Sequence, residues 1–127
     1  MGKKIYTGYI IDKSQRDKKI FKNMVITNRK TTWLGLVIIY EVQVDADYID
    51  LMIKKLQDNM VTHIGFIKQE FYIHFYCGEE LIVVYRDKVF HITADKTTWT
   101  EAVEHGRKLG IIEKQLDFLT PEEMKNK

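Results

Sequence analysis

The densest group of side chains capable of chemistry lies at residues 71–77, Phe-Tyr-Ile-His-Phe-Tyr-Cys. Successive side chains of a β-strand alternate between its faces, so Tyr72, His74 and Tyr76 should share one face, roughly 7 Å apart. Only imidazole titrates near neutral pH without perturbation, which makes His74 the acid–base candidate. The row predicts the lining of a ligand-binding face, a platform on which bases stack, or aromatic residues that simply favour a strand.

A second candidate site is electrostatic. Residues 1–30 hold nine basic and two acidic side chains, a net charge of +7, whereas residues 31–127 hold 11 basic and 16 acidic ones, a net charge of −5. A basic segment attracts polyanions such as nucleic acid or docks on an acidic protein, and it also serves as a solvated loop. The candidate polyanion-binding residues are Lys13, Arg16, Lys18, Lys19, Arg29 and Lys30.

Motifs for catalysis, metals and cofactors are missing from the sequence. The four histidines have no His-Glu-x-x-His spacing, and the single cysteine, Cys77, excludes paired-thiol metal sites. The only serine, Ser14, is not in a nucleophile elbow, and no glycine-rich phosphate loop occurs. We therefore expect no metal, no cofactor and no catalytic residue, which favours a binding protein over an enzyme.

Most of the elements that must position these residues read as strands. Alternating β-branched and aromatic residues predict seven of them, with charged or glycine-containing turns at 28–30, 78–80 and 86–88 and a polar loop at 12–19. The predicted strands are residues 5–11, 20–27, 33–44, 61–67, 71–77, 81–85 and 89–93.

Two helices are predicted from apolar residues spaced three and four apart. The first starts at Asp45 and runs to about Met60. The second covers residues 98–109, with Thr98 and Glu101 as a reciprocal capping box and Gly110 as a left-handed cap. Its buried stripe is Trp99, Ala102, Val103, Gly106 and Leu109. A further short helical start is expected at Pro121.

The order β-β-β-α-β-β-β-β-α predicts an α+β fold, a two-layer sandwich whose largely antiparallel sheet is covered on one face by two amphipathic helices. The 127 residues fit one domain, 1–120, followed by a polar tail at 121–127. No apolar run reaches the roughly 18 residues of a membrane span, and the N-terminus lacks a signal-peptide segment. We expect a cytoplasmic protein without a membrane partner. The long apolar third strand and the two open edges predict a homodimer through a sheet edge or through the uncovered face.

Two functions from different classes follow. The first is a small binding or interaction module that contacts a polyanion or an acidic partner through a basic N-terminal hairpin. The alternative is a small-molecule-binding protein, or a small enzyme, whose pocket is lined by Tyr72, His74 and Tyr76. The direction of the His74 side chain, towards a polar pocket or towards open solvent, separates the two.

Overall fold

Six strands form one open antiparallel sheet in the computed structural model, which describes residues 4–32 and 37–111. The spatial order is β2-β3-β1-β6-β7-β8, so the first strand of the chain lies in the middle of the sheet. The strands are β1 (Ile5–Ile11), β2 (Val25–Thr32), β3 (Val37–Asp45), β4 (His63–Ile64), β5 (Ile67–Lys68), β6 (Tyr72–Cys77), β7 (Glu80–Tyr85) and β8 (Val89–Thr93). The helices are α1 (Ile49–Asp58) and α2 (Thr100–Lys108).

The second predicted strand is wrong in its position. Lys18–Asn23 form a 3₁₀ turn, and β2 begins only at Val25, so the turn expected at 28–30 lies inside β2. The local cause is Asp17, whose carboxylate accepts a hydrogen bond from the Lys19 amide and caps the turn at its start. The predicted basic hairpin is therefore absent from the described residues, because β3 lies between β1 and β2.

The predicted strand at 61–67 is also wrong. Only β4 and β5 form there, as a two-residue ladder separate from the main sheet. Gly65 turns the chain between them with a positive φ of 60°, a conformation that glycine adopts without strain. The three following strands are confirmed, since β6, β7 and β8 form an antiparallel meander.

The two helices pack on opposite faces of the sheet. Ile82 of β7 belongs to the core that contains Leu56 of α1, whereas its neighbour Val83 belongs to the core that contains Ala102 of α2. The α+β class and the antiparallel sheet are confirmed, but the prediction that both helices cover one face is wrong. The physical reason is the unbroken apolar run at 81–85, which needs cover on both sides. We call these the α1 face and the α2 face.

The start of α2 differs from the predicted capping box. Thr98 accepts from the Thr93 amide, and the N-cap residue of α2, Trp99, makes no side-chain cap hydrogen bond. Instead a 3₁₀ turn at Lys96–Thr98 leads into the helix, and Asp95 caps that turn by accepting from the Thr97 amide at 3.0 Å. Gly110, with φ 91°, confirms the predicted left-handed cap.

The buried stripe of α2 agrees with the sequence prediction. Trp99, Ala102 and Gly106 are buried, and Val103 and Leu109 are half-buried. Residues 33–36, the helical start at Pro121 and the tail at 121–127 lie outside the described residues. Neither α1 nor α2 is long and apolar enough to cross a membrane.

Candidate functional site

The aromatic row of β6 comes together on the α2 face. The ring centroids of Tyr72 and His74 lie 5.8 Å apart, and those of His74 and Tyr76 lie 5.1 Å apart. Tyr76 and His74 are buried and Tyr72 is half-buried. The three rings pack against one another in edge or tilted geometry, which aromatic pairs prefer.

Tyr9 completes this group and is missing from the sequence prediction. β1 pairs with β6 so that Tyr9 stands directly opposite His74, with the two ring centroids 5.6 Å apart. The Tyr9 ring also lies 6.1 Å from that of Tyr76. No local pattern marks Tyr9, because its place depends on the pairing of two strands distant in the sequence. We call Tyr9, Tyr72, His74 and Tyr76 the aromatic cluster.

The His74 imidazole is buried without a hydrogen-bond partner for either ring nitrogen in the described part of the chain. Its residue exposure is 8%, and this burial lowers the pKa of His74 to about 4. At neutral pH the ring is therefore uncharged, with one N–H donor and one acceptor. An unsatisfied buried polar group costs about 1–3 kcal/mol, which a ligand with a matching donor and acceptor would recover.

A carboxylate fixes the polar edge of the aromatic cluster. The Tyr9 hydroxyl donates to Glu41 at 3.1 Å, and Thr27 donates to the other oxygen of the same carboxylate at 2.8 Å. Burial, together with the nearby Glu41 charge, raises the pKa of Tyr9 to about 12. Tyr9 is thus held as a neutral phenol across the physiological range.

The predicted polyanion-binding residues are exposed but do not form one patch. The Lys18 ammonium is used inside the molecule, since it donates to the carbonyls of Asp12 and Gln15. Arg29 pairs in register with Tyr40, whose ring lies 4.7 Å from that of Phe21. Paired residues share a face, so Arg29 lies beside the 3₁₀ turn on the α1 face.

Lys30 follows Arg29 along β2 and therefore belongs to the opposite face. Lys22, which the sequence prediction omits, is exposed on the same 3₁₀ turn as Lys19. Exposed cations thus lie on the loop, on the turn and on the α1 side of β2. We call this group the basic surface, and its members are Lys13, Arg16, Lys19, Lys22 and Arg29.

An apolar cavity opens between the sheet and α1, where Met24 and Val25 follow the 3₁₀ turn. Its volume is about 410 Å³, a size typical of ligand pockets. Three polar residues, Gln43, Asp45 and Lys55, stand in its wall. The apolar lining is Met24, Val25, Val44, Tyr48, Leu51 and Met52.

No protein-family model, no curated protein and no solved structure matches this chain. Among the described residues, no three His, Cys, Asp or Glu side chains are placed to hold a metal ion. Three features are therefore available for a functional argument: the aromatic cluster, the basic surface and the apolar cavity.

Proposed function

We propose that this chain is a binding module that docks on an acidic partner through its basic surface. One observation carries the proposal: within residues 4–32 and 37–111, the five cations of that surface are exposed and no carboxylate lies within ion-pair distance of them. By contrast, Lys4, Arg86 and Arg107 each pair with a carboxylate elsewhere in the molecule.

The acidic residues of the same segment, Asp12 and Asp17, form no ion pair with these cations in the described ranges. Asp12 accepts from the Ile38 amide at 3.3 Å, and Asp17 accepts from the Lys19 amide at 2.9 Å. Both carboxylates thus hold the backbone in place. The positive potential remains directed to solvent, where it raises the rate of encounter with an acidic partner.

An acidic protein segment suits this surface better than single-stranded nucleic acid. Modules that bind single strands stack bases on exposed aromatic rings. In residues 12–32 the one aromatic side chain is Phe21, and it is buried at 8% exposure. Charge alone is then available for recognition, and carboxylates supply the matching groups.

The test is a titration of a fluorescent poly-glutamate peptide at 50 mM salt, followed by fluorescence anisotropy. We expect weak binding that disappears when Arg16, Lys19 and Lys22 are replaced together by glutamine. Lys18 is left intact, because its ammonium bonds two carbonyls of the loop. Absence of binding by the wild-type chain at this salt contradicts the proposed function.

A matched control removes the same charge elsewhere. Lys68, Lys88 and Lys108 are exposed and lie outside the basic surface, so their joint replacement by glutamine should leave binding nearly unchanged. Random-sequence duplex DNA is titrated in parallel. If DNA binds more tightly than the peptide, the partner is a nucleic acid and not an acidic protein. In that case five phosphate contacts should give a slope of log affinity against log salt of about −4 to −5.

The aromatic cluster supports a second function, the binding of a small molecule at His74. The supporting observation is the buried His74 imidazole, whose two ring nitrogens have no hydrogen-bond partner among the described residues. A fragment screen followed by the His74 ring resonances in NMR tests this function. Hits should shift those resonances in the wild-type chain and lose affinity in His74→Phe, and a screen without such hits rejects it.

A further inference from the structure

Large hydrophobic side chains in the wall of the apolar cavity remain exposed to solvent. Val25, Tyr48 and Leu51 remain 63%, 62% and 56% exposed, although each contributes to its wall. Tyr48, Leu51 and Lys55 are spaced three and four residues apart, so they form one stripe along the helical segment. This stripe faces Met24 and Val25 across the opening.

Lys55 is the one cation among the described residues that line the cavity. The structure records no carboxylate within ion-pair distance of Lys55 in the described ranges, whereas its neighbour Lys54 pairs with Asp58 at 3.5 Å. The other charged residue of the wall, Asp45, accepts from the Asp47 amide and caps the 3₁₀ turn before α1. A ligand that carries a carboxylate next to its apolar group can therefore place that carboxylate near Lys55.

The 3₁₀ turn of the basic surface leads along the chain to the wall of this cavity. Lys19 and Lys22 lie on the 3₁₀ turn, and the chain proceeds from Lys22 to Met24 and Val25 within three residues. Cations and apolar wall thus follow one another over a short length of chain. A linear segment that carries both acidic and apolar residues matches this succession.

Strand addition along β2 is the competing mode of docking, and the edge opposes it. β2 carries Arg29 and Lys30, and a bulge interrupts its register between Ile26 and Asn28. Edge cations and bulges are the features by which proteins block pairing with further strands. The same features oppose a second copy at this edge, because four cations would be brought together.

We propose that the cavity receives an apolar side chain of an acidic linear peptide, whose flanking carboxylates meet Lys55 and the cations of the 3₁₀ turn. We expect this anchor side chain to be the size of leucine or phenylalanine. Aliphatic and methionine side chains form most of the wall, and methionine adapts to varied shapes. This inference rests on the proposed acidic partner and adds the anchor that selects it.

The experiment compares three synthetic twelve-residue peptides by isothermal titration and by methyl NMR of the full chain. The first has a leucine and a phenylalanine among glutamates, the second has serines in their place, and the third keeps the apolar pair among lysines. Burying a leucine-sized group predicts about tenfold or stronger binding of the first peptide than of the second. Its methyl shifts should centre on Leu51, Met52 and Val25.

Leu51→Glu should remove this advantage, because it places a carboxylate on the cavity wall. Leu51 is half exposed and glutamate favours helices, so the variant should fold normally. Ile67→Glu is the matched control, the same class of change at a 69% exposed position of β5 outside the cavity. It should bind the first peptide like the wild type.

The outcomes separate the two proposals. Equal binding of the first and second peptides, or an unchanged advantage in Leu51→Glu, overturns the cavity inference and leaves the acidic partner in place. Equal binding of the first and third peptides overturns the acidic partner and, with it, the charge preference assigned to Lys55. Binding of none of the three overturns both.

Discussion

His74 is the residue at which acid should act most directly on stability. In the unfolded chain an imidazole binds a proton below about pH 6.5, whereas burial holds the folded pKa of His74 to about 4. Between these values the unfolded state binds more protons, so the free energy of unfolding falls as pH is lowered through this window. We expect the protonation of His74 alone to lower the free energy of unfolding by about 3 kcal/mol at pH 4 relative to pH 7. Urea denaturation across this pH range measures the change.

The variant that isolates this effect is His74→Phe, which keeps an aromatic ring but cannot bind a proton. The difference in unfolding free energy between variant and wild type should grow in favour of the variant as pH falls from 6.5 to 4. His63→Phe, the same substitution at an exposed histidine, serves as the matched control. A pH-independent difference for His74→Phe contradicts the buried, neutral imidazole.

At the scale of elements, the start of α2 distinguishes the observed cap from the predicted one. Asp95→Ala removes the acceptor of the Thr97 amide and should cost about 1 kcal/mol of unfolding free energy. Glu101→Ala should cost much less, since Glu101 is exposed and caps nothing in the structure. Thermal denaturation of both variants measures the contrast, and a larger loss for Glu101→Ala would restore the capping box.

The sequence predicts elements best where one local pattern decides. β1 and β8 have the predicted bounds, and β6 and β7 differ from theirs by one residue at the start, because alternation and charged or glycine turns act over a few residues. The stretch 20–27 also alternates, yet the cap at Asp17 and the packing of Phe21 against Tyr40 make its first half a 3₁₀ turn. Alternation alone cannot separate these outcomes.

Candidate sites show the same division. The shared face of Tyr72, His74 and Tyr76 follows from strand parity, and the structure brings their rings together. The contribution of Tyr9 and the cavity beside Leu51 depend on strand order and helix placement. Long-range pairing fixes these features, so no short window of sequence contains them.

At the scale of the whole molecule, the homodimer stays a prediction. The charges of β2 indicate how the fraction of dimer should change with salt concentration. Arg29 and Lys30 would repel their counterparts in a pair of copies joined at this edge, and added salt screens such repulsion. The dimer fraction in light scattering at high micromolar concentration should therefore rise from 50 mM to 500 mM salt. A monomer mass at both salt concentrations contradicts the predicted homodimer.

The central place of β1 in the sheet has a consequence for folding during synthesis. β1 is synthesised before both strands that flank it, so Tyr9 must await Glu41 on one side and His74, 65 residues later, on the other. Pairing over such separations is slow, because loop closure precedes the contacts that reward it. The nascent chain therefore carries an apolar strand with two open edges until β3 is made and with one open edge until β6 is made, and this interval exposes it to aggregation and to chaperones.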